Sequence, residues 1–76
     1  MVHAFIMVKT AAGTSEDLVD AIRAVTDVTE AHIVAGNYDI IAEVDVEEVY
    51  DILNTVASEI RGFDGVADTK TYISMG

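Results

Sequence analysis

His32-Ile33-Val34-Ala35-Gly36-Asn37-Tyr38-Asp39-Ile40-Ile41-Ala42 is the stretch that decides the fold. Gly36-Asn37 is a two-residue hairpin signal, because both residue types tolerate the positive φ that joins twisted antiparallel strands. Upstream, Val28 to Val34 reads as a strand with Val28, Glu30, His32 and Val34 on one face and Thr29, Ala31 and Ile33 on the other. Downstream, Tyr38, Ile40, Ala42 and Val44 alternate as the returning strand. Asp39 carries the chemical interest. A carboxylate beside exposed turn amides offers both halves of a site for a small zwitterion, whereas its structural reading is an Asx-type cap of free turn amides.

Working outward, Val2, Ala4, Ile6 and Val8 occupy one face of a first strand running to Lys9, and His3, Phe5, Met7 and Lys9 the other. Ala11-Ala12-Gly13 breaks it, and Thr14 with Asp17 resembles a capping box opening a helix whose core stripe is Leu18, Ala21, Ile22 and Val25. Glu16 and Asp17 suit its positive end and Arg23 its negative end. Asp45 with Glu48 is expected to cap a second helix with apolar positions Val49, Ile52, Leu53, Val56 and Ile60, stopped by Gly62. Gly65 precedes a last strand, Val66 to Met75, with Ala67, Thr69, Thr71, Ile73 and Met75 on one face and Asp68, Lys70, Tyr72 and Ser74 on the other. The order strand, helix, strand, strand, helix, strand defines an α+β, ferredoxin-like domain: a four-stranded antiparallel sheet with both helices on one face. Because the first strand is apolar on both sides, the second face is expected to be covered by the same face of another subunit, a dimeric α+β barrel.

The composition narrows the function. A chain of 76 residues is one small domain, in a size range where folding buries only about 60–65% of the surface. With no cysteine there is neither a disulfide nor a thiolate metal site to staple it, so self-association is the expected supplement. Fourteen acidic residues against four basic ones give a net charge of -10, which repels nucleic-acid backbones and anionic membranes. The acids are spread along the chain and 51% of residues are hydrophobic, the pattern of a solvated acidic surface on a folded domain. Salt screens such a surface, which leads us to expect a halophilic source. No apolar run approaches the roughly 18 residues that span a bilayer, and a cytoplasmic location is expected.

Three segments together carry a family resemblance: Ala4-Phe5-Ile6-Met7-Val8-Lys9-Thr10 with Gly13, the hairpin His32 to Asp39, and Gly65-Val66-Ala67-Asp68-Thr69-Lys70-Thr71-Tyr72. In this combination the chain resembles the effector-binding domain of the Lrp/AsnC regulators, also called the RAM domain, over residues 1–76. Full regulators of this kind carry an N-terminal helix-turn-helix. Here Met1 stands immediately before the first strand, so a stand-alone form without a DNA-binding domain is expected.

The resemblance implies binding of a small effector, usually an amino acid, in clefts between neighbouring dimers of a ring. Carried over by position, Gly36, Asn37 and Tyr38 would offer backbone donors to the ligand carboxylate and Asp39 would face its ammonium. Thr69 and Thr71 would add hydroxyls, and His32 and Val34 would border the site. Mixed assemblies with full-length regulators are a further implied partnership. No cofactor is expected, and no metal, because His3 and His32 lack a Cys or His partner at ligand spacing. The chain has no nucleophile elbow and no phosphate-binding glycine loop, so an enzyme is not expected. The alternatives are a purely structural oligomerisation module and, less favoured, a small enzyme resembling the dimeric α+β barrel monooxygenases.

Overall fold

The structure, a computed structural model, describes residues 1–75. Six elements follow in order: β1 (Val2–Thr10), α1 (Ser15–Arg23), β2 (Val28–Ile33), β3 (Ile40–Val46), a second helix α2 (49–61) and β4 (Val66–Ile73). The strands form one antiparallel sheet in the order β2-β3-β1-β4, the ferredoxin-like topology.

Alternation in the two central strands builds the core. Ala4, Ile6 and Val8 of β1 and Ile40, Ala42 and Val44 of β3 are fully buried, packed with Leu18, Val19 and Ile22 of α1 and Ile52, Val56, Ala57 and Ile60 of α2. Both helices therefore cover one sheet face. The intervening residues His3, Phe5, Met7, Ile41, Glu43 and Asp45 stand half-buried on the open face. Among the described residues no polar or charged residue is buried. Burying one without a partner would cost roughly 1–3 kcal/mol, and this core avoids that cost by excluding polar side chains.

In β4, Thr69, Thr71 and Ile73 lie opposite Val8, Ile6 and Ala4, and Asp68, Lys70 and Tyr72 lie opposite Lys9, Met7 and Phe5. Directly paired residues share a face. The two threonines consequently belong to the helix side and Asp68, Lys70 and Tyr72 to the open side.

Several local expectations give way. The β2–β3 connection is the six-residue segment 34–39, not a two-residue turn. Its ends are tied by the Val34 amide donating to the Asp39 carbonyl at 2.8 Å. In a loop of that length neither Gly36 nor Asn37 needs a positive φ, and the residues that adopt one are Gly13, Asp27 and Gly65. A register shift between Val28 and Glu30 sets Val28 opposite Val44 but Glu30 opposite Glu43. This bulge sends Val28 to the helix side with Ala31, while Glu30 and His32 go to the open side, so the expected shared face of Val28, Glu30 and His32 is broken.

Neither expected capping box forms. The Thr14 hydroxyl donates to the Ala11 carbonyl at 2.8 Å. Asp45 lies within β3, where its carboxylate meets His3, and Glu48, at the N-cap of α2, makes no side-chain bond. α2 is α-helical over Val49–Asp51, π-type over Ile52–Val56 and α-helical again over Ala57–Arg61. The wider turn rotates the apolar stripe: Ala57 enters the core, while Val49 and Leu53 are left 43% and 47% exposed. Gly62 is the C-cap, its amide donating to the carbonyls of Ser58 and Glu59.

Candidate functional site

The loop 34–39 packs against the end of β1, and Asp39 is its anchor. The Asp39 amide donates to the Val8 carbonyl at 2.9 Å, and its own carbonyl accepts from Val34. Its carboxylate Oδ2 accepts the Thr10 amide at 2.8 Å. That Thr10 amide is the main cause holding the Asp39 carboxyl below its ordinary value; partial desolvation opposes it, and the Thr10 hydroxyl and Lys9 assist. Lys9 Nζ in turn donates to the Asn37 carbonyl at 3.0 Å. Asp39 is thus a cap, as its structural reading holds, but across strands to Thr10 and not within its own turn.

One side of this loop remains unspent. Among the described residues, the backbone amides of Gly36, Asn37 and Tyr38 donate to no protein acceptor. Gly36 and Asn37 are exposed and Tyr38 half-buried. Consecutive unpaired amides are the donor set that recognises carboxylates, and here they precede an ionised carboxylate directly.

The other expected residues divide. Val34 is tied to Asp39 by its amide. Val8 pairs with Ile40 on one side and Thr69 on the other, which puts Thr69 at the same sheet end as Asp39, two strand spacings or about 10 Å away. Thr71, opposite Ile6, lies further from the loop on the same face. His32 does not join them. It sits on the open face opposite Ile41, its Nε2 3.2 Å from Glu30 Oε1. Within one chain, then, the loop and Thr69 share an end, Thr71 lies further along β4, and His32, one pair in from the Ile33–Ile40 pair that closes the loop, is at that end on the open face.

A second polar group, not expected from the sequence, occupies the open face. His3 Nδ1 lies 2.6 Å from Asp45 Oδ1 and its Nε2 3.2 Å from Glu43 Oε1. The hydrogen bond to Asp45 is the main cause raising the His3 pKa above its ordinary value; desolvation opposes it, and Glu43 adds to it. Glu43 also belongs to a group with Glu30 and His32 whose potential ligand atoms all lie within 4.8 Å of one another. Period-two alternation points to these residues only strand by strand. The strand order and the β2 bulge bring them together.

The fold defines the class as a ferredoxin-like α+β domain. The model of the Lrp/AsnC ligand binding domain matches residues 3–76, and the chain belongs to that family. Among solved structures, TTHA0845 from Thermus thermophilus is similar with a TM-score of 0.93 at 28% identity, covering 100% of this chain and 95% of that one. The hypothetical protein PHS023 from Pyrococcus horikoshii is similar with a TM-score of 0.88 at 33% identity, covering 99% and 90%. The transcriptional regulator NMB0573 from Neisseria meningitidis, solved as an L-Met complex, shares the fold with a TM-score of 0.73 at 20% identity, covering 99% of this chain and 50% of that one. No curated protein matches the sequence significantly. No helix among the described residues is long and apolar enough to cross a membrane.

Proposed function

We propose that this domain is a non-enzymatic regulatory module that binds an amino acid at the 34–39 loop and works as an oligomer. The observation that carries the reading is the pairing of an anchored, ionised Asp39 with the unpartnered amides of Gly36, Asn37 and Tyr38. The amides meet the ligand carboxylate and the Asp39 carboxylate meets its ammonium, a charge-assisted bond roughly twice as strong as a neutral one. The occurrence of this fold in a regulator solved with L-Met supports the choice of ligand class.

The loop is an open surface within one chain, so a second subunit closes the cleft, with Thr69 as a further wall. The open sheet face supplies the dimer contact: Phe5, Met7 and Ile41 lie at its centre, and Tyr72, paired with Phe5, is 55% exposed. Mixed assembly with full-length Lrp/AsnC regulators follows from the same contact.

The test is a thermal-shift screen of the twenty amino acids. A ligand at about 100 times its Kd adds about 2.7 kcal/mol, which for a domain of this size raises Tm by roughly 10–20 °C. Asp39→Asn keeps an acceptor oxygen for the Thr10 amide while removing the charge, and is expected to abolish the shift with the fold retained. A folded protein whose Tm ignores all twenty amino acids would instead support the structural oligomerisation module, in which Asp39 serves only as the Thr10 cap.

A further inference from the structure

On the open face, β2 and β3 set two glutamates against each other. Glu30 and Glu43 are direct cross-strand partners, an arrangement of like charges that is destabilising on its own, in a chain already at -10. His32, two residues along β2, completes a group whose ligand atoms all lie within 4.8 Å of one another. We propose that Glu30, His32 and Glu43 form a binding site for a divalent transition cation of the Zn2+ class.

The geometry is close to that requirement. Bonds of about 2.0–2.2 Å in a tetrahedral shell place neighbouring ligand atoms roughly 3.3–3.6 Å apart. His32 Nε2 and Glu30 Oε1 already stand 3.2 Å apart. Bringing in Glu43 from within 4.8 Å takes only a shift of the ends of flexible glutamate side chains.

The bulge between Val28 and Glu30 has a definite consequence here. Without the inserted residue, Glu30 would lie opposite Ala42 on the helix side, and the bulge re-aims Glu30 and His32 toward Glu43. Behind Glu43 stands His3 at 3.2 Å, held in turn by Asp45 at 2.6 Å and by an edge-on contact with the Phe5 ring, centroids 5.0 Å apart at 88°. Such outer partners orient metal-binding carboxylates, and His3 is assigned that positioning role. One imidazole with two carboxylates selects Zn2+ over Mg2+ and Ca2+, which favour all-oxygen shells. Three protein ligands leave a coordination position for water.

The experiment is calorimetric titration of untagged, chelator-treated protein with Zn2+ and, separately, Mg2+. The expected result is one Zn2+ per chain, bound at least 100-fold more tightly than Mg2+. His32→Ala and Glu30→Gln change edge-strand positions that are exposed in the single chain but adjoin the proposed dimer contact; circular dichroism verifies the fold and size-exclusion chromatography an unchanged assembly, and each weakens Zn2+ at least 100-fold. His3→Ala weakens it 10- to 100-fold, the range for loss of an outer partner. Several weak Zn2+ ions per chain with Mg2+-like affinity, or a Zn2+ affinity unchanged in His32→Ala, would show adsorption to the acidic surface and overturn the proposal.

Discussion

Replacing Gly65 by Ala tests how the last strand is set beside the candidate site. Gly65 has φ +94 and its carbonyl accepts the Ala11 amide at 2.8 Å, closing the end of β1 onto the start of β4. A Cβ there would stand 3.1 Å from Thr14 Oγ1 and 3.2 Å from Leu18 Cδ1, inside the optimum of about 3.5–4.0 Å. Two costs combine. The left-handed backbone costs an L-residue about 1–2 kcal/mol, offset by the roughly 0.4–1 kcal/mol that Ala gains by restricting the unfolded chain. The contacts add about 1–2 kcal/mol of overpacking, since Leu18 is a core residue and the Thr14 hydroxyl is already committed to Ala11. Gly13 is the internal control: its φ is +80, but an added Cβ meets nothing within 4 Å. Gly13→Ala should therefore lose about 1 kcal/mol and Gly65→Ala about 2–3 kcal/mol. In Tm these are roughly 4–8 °C and 10–20 °C, read by urea and thermal unfolding at one fixed protein concentration. If Gly65→Ala is no worse than Gly13→Ala, the packing of Gly65 against Thr14 and Leu18 is wrong.

Three further outcomes are expected. Gly36→Ala, at an ordinary φ with open space around the new Cβ, should leave urea stability unchanged or raise it by up to about 1 kcal/mol; a loss beyond that would restore the tight-turn reading. Because the folded-state pKa of Asp39 is lowered from 3.8, its contribution is fully present above that value and fades as pH falls through the lower folded value. Thermal melts taken from neutral pH into the acid range should accordingly fall less for Asp39→Asn than for the parent, and parallel curves would contradict the Thr10 cap. Arg23 donates from Nε and Nη2 to the Ala31 carbonyl at 3.0 and 2.8 Å. Arg23→Ala should cost about 1 kcal/mol, with faster hydrogen exchange along β2, and Arg23→Lys should not restore it because Lys lacks the planar fork.

Alternation in β1 and β3 and the Leu18–Ile22 spacing of α1 are legible in the sequence because each reflects one regular period, although Val19 takes the buried place expected of Ala21. The bulge is not. Thr29 is as good a strand residue as its neighbours, so nothing in the local pattern signals an inserted residue, and the error moves Val28 to the opposite side from Glu30 and His32. The π-type turn fails in the same way, since a 3.6-residue stripe places Leu53 inward where the wider turn leaves it half exposed. Asp45 reads as a helix cap because its partner His3 lies 42 residues away, and a pair so distant leaves no trace in local spacing. At the site, the Gly36 to Asp39 motif is visible, but its six-residue loop and the Thr10 partner depend on where β1 ends.

That partner bears on what Asp39 does. Capping Thr10 and recognising a ligand look like rival roles, yet under the proposed function the first would serve the second. Asp39 holds the loop at three points, through the Val8 carbonyl, the Val34 amide and the Thr10 amide, while Lys9 grips the Asn37 carbonyl. A loop so tied has little conformational freedom left to lose, and ordering costs are a large part of what weakens small-ligand binding. The amides of Gly36, Asn37 and Tyr38 are excluded from these ties. The ties use carbonyls, the Val34 and Asp39 amides and one carboxylate oxygen, and spare the Gly36, Asn37 and Tyr38 donors that the proposed ligand carboxylate needs.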